Sequence, residues 1–135
     1  TDIVRQNDNF VSINSALQVD LFGQVNADML DGRQICGTGG SVDLMRAAAL
    51  STGGRSILAL YATAAEGSVS RIVPTLSANT AATALRSDVD YVVTEYGARR
   101  VRHLPLHARA EALIELAAPK FREELKEAWR QIAKV

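Results

Sequence analysis

Between Gln34 and Ser51 the chain reads QICGTGGSVDLMRAAALS, with Gly37, Gly39 and Gly40 set around Thr38 directly before an Ala/Leu/Met-rich run. Glycines let successive backbone N–H groups converge, and a helix starting near Ser41 adds its positive end. Such a turn can hold a phosphate or a transient oxyanion. It is not a P-loop, because no Gly-Lys-Ser/Thr follows. It is not the dinucleotide fingerprint either, because Val42 stands where that motif's third glycine would be. The competing reading is a tight connector whose glycines only permit the turn, with Asp43 already supplying negative charge to the helix start.

Other residues offer chemistry with weaker patterns. VVTEYG places Thr94, Glu95 and Tyr96 at the end of an expected strand, and ligands of open α/β sheets bind outside the carboxyl ends of strands. Glu95 can orient a ligand or act as acid or base there; the alternative is a surface carboxylate paired to Arg99, Arg100 or Arg102. His103 and His107 are four apart, but Pro105 lies between them and no third ligand is evident, so no metal site is expected. Cys36, beside the glycine turn, is expected to be a small buried thiol rather than a nucleophile. ARRVRHLPLHAR concentrates arginines without interleaved aromatics, which argues against base stacking.

The elements that must carry these residues fit one domain. In 135 residues, 47% are hydrophobic and 22% charged, with Lys+Arg and Asp+Glu equal at 15 each. The balance leaves no global field for nucleic acid or an anionic membrane, so neither is an expected partner. One cysteine excludes an internal disulfide and fits a cytoplasmic location. No apolar run reaches spanning length. Alternation of Val11, Ile13, Leu17, Val19 and Leu21 predicts a strand from Phe10 to Leu21 with one buried face. A short strand is expected near Val25. A helix is expected over 42–50, capped by Ser41 and ended by Gly53-Gly54. RSILALYAT predicts a strand buried on both faces, SVSRIVPTL another strand ending at Pro74, and DVDYVVTEYG a strand stopped by Gly97. Two helices close the chain. Leu106, Ala110, Leu113, Ile114 and Ala117 share a face of the first; Phe121, Leu125, Trp129 and Ile132 share a face of the second. Helices mixed with buried strands predict an α/β fold, an open layered sheet with flanking helices.

Four blocks then occur in one order: NDNFVSINSALQVDLFGQVNAD, GTGGSVDLMRAA, GSVSRIVPTL and DVDYVVTEYGARRVRHLPLHARAEALIELAAPKFREEL. Together they resemble the C-terminal domain of the acetyl-CoA hydrolase/transferase family, which includes 4-hydroxybutyrate, butyryl- and succinyl-CoA:acetate CoA-transferases. The resemblance implies that residues 1–135 are the C-terminal domain of a CoA-transferase-type fold. The N-terminal domain and the segment with the nucleophile would lie upstream of Thr1, and the active site in the cleft between two related α/β domains. It implies a glutamate that attacks an acyl-CoA thioester to give an acyl-glutamyl anhydride, on which the released CoA returns to form a glutamyl-CoA thioester and free the acid; an incoming carboxylate, or water in a hydrolase, then collects the activated group. No glutamate here matches that nucleophile, so the isolated chain is expected to be inactive.

The resemblance carries over one catalytic element, the Gly40 N–H, as part of the hole that receives the thioester oxyanion. Gly37, Thr38, Gly39 and Gly40 would then line the CoA thioester site, with Glu95 as a further candidate. It implies acyl-CoA and a small carboxylate as substrates, no permanently bound cofactor, the protein's own N-terminal domain as partner, and room for a homodimer. TAAEGSVS departs from relatives that place a lysine before a Gly-Gly pair, because Ala65 stands at that position with Glu66 next to it. Asn14 and Asn26 are assigned supporting roles only. The competing function is a stand-alone, non-catalytic remnant that binds CoA or a protein partner; a dinucleotide-binding module is disfavoured by the missing third glycine.

Overall fold

The computed structural model describes residues 2–37 and 39–134. A short 3-10 turn, Val4–Gln6, leads into β1 (Val11–Ser15), β2 (Gln18–Asp20), β3 (Val25–Asn26), β4 (Met29–Leu30) and β5 (Arg33–Gln34). After the glycine turn comes α1 (Ser41–Leu50). Then follow β6 (Arg55–Ala59), β7 (Thr63–Ala64), β8 (Val69–Ser70), β9 (Ile72–Val73), β10 (Tyr91–Thr94) and β11 (Gly97–Arg100). The helices α2 (Leu106–Leu116) and α3 (Pro119–Ile132) close the chain, with Pro119 opening α3 where its missing N–H costs nothing.

The main sheet has the order β1-β6-β10-β11. Its first three strands are parallel and β11 returns antiparallel. With helices packed on it, this is the open α/β architecture expected. The register aligns Asn14 with Leu58 and Leu58 with Val92, so Ser12, Ser56, Leu58, Val92 and Thr94 share one face, and all five are buried. Helix α1 packs on β1 and β6 through Met45, Ala47 and Ala48, and α2 packs on β10 and β11. The return from α1 to β6 is close: a Cβ on Gly54 would stand 2.2 Å from the Ala48 carbonyl oxygen, so only glycine fits.

A smaller sheet, β3-β2-β9, shares the core through Val19, Leu21, Val25 and Ile72. Its turn is organised by Asp20, fully buried, whose carboxylate accepts the N–H groups of Phe22, Gln24 and Leu76 and the side-chain amide of Gln24. Asn26 holds the next turn through its side-chain oxygen, which accepts Asp28 N–H and Met29 N–H. Trp129 of α3 donates to His107 Nδ1 at 3.1 Å and meets Phe22 edge-on, joining both terminal helices to this sheet. Among the described residues no helix is long and apolar enough to cross a membrane.

Several expectations are corrected. The single strand over 10–21 is two strands, because its halves pair with different sheets: Leu17 N–H donates to Asn26 O and Val19 N–H to Arg71 O. The alternation in β1 is present, but its apolar side is uncovered, with Val11 48% and Ile13 68% exposed. The strand β6, expected to be buried on both faces, leaves Ile57 and Ala59 half-buried on that same side. SVSRIVPTL breaks at Arg71 into β8 and β9, which pair with different partners. Gly97 does not stop the strand region; it starts the returning strand β11 at φ +148°. In the terminal helices, Leu113, Ile114, Leu125 and Trp129 are buried as expected, whereas Leu106 and Ile132 are 38% exposed.

Candidate active site

Helix α1 follows β5 and the glycine turn, leads into the amino end of β6 and runs back against β6 and β1. Its N-terminus therefore stands at the end of the sheet where β1, β6 and β10 finish, the end that also carries Thr94 and Glu95. In open α/β sheets this is the ligand-binding end.

Gly40, rather than Ser41, is the N-cap, with φ −97° and ψ 12° and no side-chain capping bond. Gly39 has φ +60°, a left-handed conformation that favours glycine. Gly37 and Gly40 are different. Gly40 has a φ that any residue can adopt, and a Cβ built on Gly37, Gly39 or Gly40 meets nothing within 4 Å. The packing of this chain therefore gives no reason for glycine at 37 or 40. All three glycines are exposed. Thr38 lies outside the described residues. Cys36 corrects the expectation of a buried thiol: it is exposed, its Sγ 3.7 Å from the Ala27 carbonyl oxygen.

Glu95 follows β10 at the turn into β11. Its Oε1 accepts the Ala62 N–H at 2.6 Å, which fixes the carboxylate against the end of the neighbouring β6 region. The arginine pairing considered from the sequence is formed by other carboxylates: Arg99 pairs with Glu115, and Arg100 with the buried Asp90 at 2.9 Å. The charge on Asp90, by hydrogen bond and Coulomb attraction, raises the Arg100 guanidinium above its ordinary pKa. Thr94 is structural, donating its hydroxyl to the Leu116 carbonyl at 2.7 Å. Asn14 bonds Ser12 within its own strand, a supporting role like that of Asn26.

Beside Glu95 a cleft of about 380 Å³ opens over the strand ends, lined by Ala16, Ala59, Leu60 and Val93 and flanked by Arg71. Sequence reasoning did not single out Arg71. Its signal was an arginine in the middle of SVSRIVPTL, a stretch read as one continuous strand. Ala65 and Glu66, at the departure from the lysine pattern, form the tip of the β7–β8 hairpin and both take positive φ, 49° and 55°. Among the described residues no group of three His, Cys, Asp or Glu side chains could hold a metal ion.

Residues 1–129 match the family model described as the acetyl-CoA hydrolase/transferase C-terminal domain. The chain is 52% identical over 123 residues to the 4-hydroxybutyrate coenzyme A transferase of Clostridium kluyveri, covering 91% of this chain and 29% of that protein. Among solved structures, RipA from Yersinia pestis superposes with a TM-score of 0.87 at 42% identity, over 99% of this chain and 28% of the other. The 4-hydroxybutyrate CoA-transferase of Porphyromonas gingivalis does so with a TM-score of 0.79 at 44% identity, over 97% of this chain and 29% of the other. The chain thus spans less than a third of the length of the relatives it matches. On a match that runs almost from end to end, the chain belongs to the acetyl-CoA hydrolase/transferase family, as its C-terminal domain.

Proposed function

We propose that the chain is the C-terminal part of an acyl-CoA:carboxylate CoA-transferase or acyl-CoA hydrolase that works through a glutamyl-CoA thioester. The nucleophilic glutamate belongs to the remainder of the polypeptide, so the isolated chain does not turn over. The observation that carries this reading is the glycine turn at the head of α1. Gly40 has an ordinary φ and an open Cβ direction, so beyond its place as N-cap nothing in the packing of this chain calls for glycine there. A thioester approaching the Gly40 N–H supplies a reason, because any side chain would stand between them.

In each half-reaction the carboxylate or thiolate attack turns the carbonyl carbon tetrahedral and places negative charge on its oxygen. A preorganised N–H at that oxygen, helped by the positive end of α1, lowers the barrier by ~3 kcal/mol. Gly37, Thr38 and Gly39 shape the approach to that N–H. Glu95, held by Ala62 N–H, stands at the same end of the sheet, available to orient the ligand. Coenzyme A enters as substrate, with no permanently bound cofactor. The protein's own N-terminal domain closes the cleft over the strand ends, and a homodimer is compatible with this arrangement.

The test is chemical. The full-length protein mixed with acyl-CoA, then with borohydride or hydroxylamine, should yield a glutamyl alcohol or hydroxamate at one upstream glutamate. Absence of any trapped glutamate under turnover conditions contradicts the mechanism.

A further inference from the structure

The cleft over the strand ends contains a polar group that this chain leaves unused. Arg71 Nε is shut off from solvent and has no hydrogen-bond partner among the described residues. No carboxylate among the described residues forms an ion pair with the Arg71 guanidinium, although Glu95 lines the same cleft. Glu95 is instead held by its bond to Ala62 N–H. The backbone on either side of Arg71 is fixed: its N–H donates to Ala62 O at 2.8 Å and its carbonyl accepts Val19 N–H at 3.0 Å. The side chain thus departs from a rigid strand junction between β8 and β9.

A shielded donor without a partner is costly, and more so when charged, so its presence points to a partner that arrives. A guanidinium presents a planar fork that matches a carboxylate with two parallel hydrogen bonds. Ala16, Ala59, Leu60 and Val93 form an apolar stretch of the wall, with the hydroxyl-bearing Ser15, Tyr61 and Thr94 completing the lining. The volume of about 380 Å³ falls within the ~300–1,000 Å³ usual for small-molecule sites and suits a short acid rather than the whole of CoA. The lining also limits the ligand's charge. Arg71 is its one cation and Glu95 its one anion, so a second carboxylate would face Glu95 with no counter-charge.

We propose that Arg71 binds the carboxylate head of a short monocarboxylic acid whose hydrocarbon tail lies on the apolar wall of this cleft. The proposal deepens the CoA-transfer reading by giving the acceptor acid a site, and it rests on that reading for its role in turnover. Arg71 is a substrate-binding residue here, distinct from the Gly40 hole that serves the thioester.

Two measurements test it. In the first, the full-length enzyme is loaded with acyl-CoA, the enzyme–CoA thioester is isolated, and butyrate is added. Arg71→Gln should slow discharge by butyrate about 30-fold through a raised KM. Loading from butyryl-CoA is the reverse of that discharge, so its kcat/KM should fall by the same factor while its KM for butyryl-CoA stays within about threefold. Arg71→Lys, keeping charge but not the fork, should fall between. Discharge at the wild-type rate, or a slowed discharge with an unchanged KM for butyrate, overturns the proposal. The second measurement needs no turnover and so separates its failure from failure of the transfer mechanism. Butyrate titrated into the full-length protein without CoA should move the Arg71 Nε–H resonance, saturably and more than succinate does. A resonance that ignores butyrate overturns the proposal even if the thioester forms. A response to coenzyme A but not to butyrate also overturns it, by assigning Arg71 to a phosphate.

Discussion

The two faces of the main sheet are made by the same strands and differ in what lies on them. On one face Ser56, Leu58 and Val92 are buried beneath α1 and α2. On the other, Ile13 is 68% exposed beside Ile57, Ala59, Tyr91 and Val93, which are only half-buried. Parallel strands are normally covered on both sides, because their crossover helices pack on both faces. Here one face carries the helices of this chain. On the proposed reading the open face receives the rest of a longer polypeptide, with the candidate cleft at the strand ends. Ile13 lies on that surface and Arg71 lines the cleft.

The contrast can be broken by substitution. Leu58→Ala, on the covered face, should cost the chain ~3 kcal/mol in urea unfolding, through lost transfer energy and an unfilled cavity. Thr94→Val removes the bond that ties β10 to the end of α2 and should cost ~1 kcal/mol by the same measurement. Ile13→Asp, on the open face, should change stability by no more than ~0.5 kcal/mol. The same substitution should abolish concentration-dependent self-association in sedimentation, because an exposed apolar patch drives it. A loss at Ile13 equal to that at Leu58 would erase the distinction between the faces.

The smallest effect lies far from both faces. Glu127 on α3 is held below the usual carboxylate range, first by Gln131 and then by Arg130. A depressed folded-state pKa adds stability above the unfolded value of 4.5 and loses it as pH falls through the folded value. Glu127→Gln should therefore leave acid unfolding nearly unchanged, because the pair is solvent-exposed and screened.

Much of this was legible in local patterns. The helices were visible because period and propensity act within a few residues; α1, α2 and α3 fall where their apolar spacing put them. The strand β10 was visible for the same reason. What covers a face is not a local property. Alternation in Val11 and Ile13 reports that one side is apolar, and reads the same whether a helix of this chain or another part of the protein lies on it. The break at Ala16 was hidden because its cause, pairing with Asn26 and Arg71, lies up to fifty residues away. The glycine turn was legible as a turn before a helix, and the structure places it there, with Gly39 at φ +60° and Gly40 as the N-cap. Arg71 was hidden because a charge beside a strand reads as surface until the shielding of its Nε is known.

The central claim is that Gly40 serves chemistry rather than folding. In the full-length enzyme, Gly40→Ala should leave the unfolding free energy within ~1 kcal/mol of the parent, because φ −97° suits alanine and its Cβ meets nothing. Its kcat for CoA transfer should fall ~100-fold, because the methyl group stands between the N–H and the thioester oxygen. An alanine variant with the stability and the turnover of the parent would contradict the account.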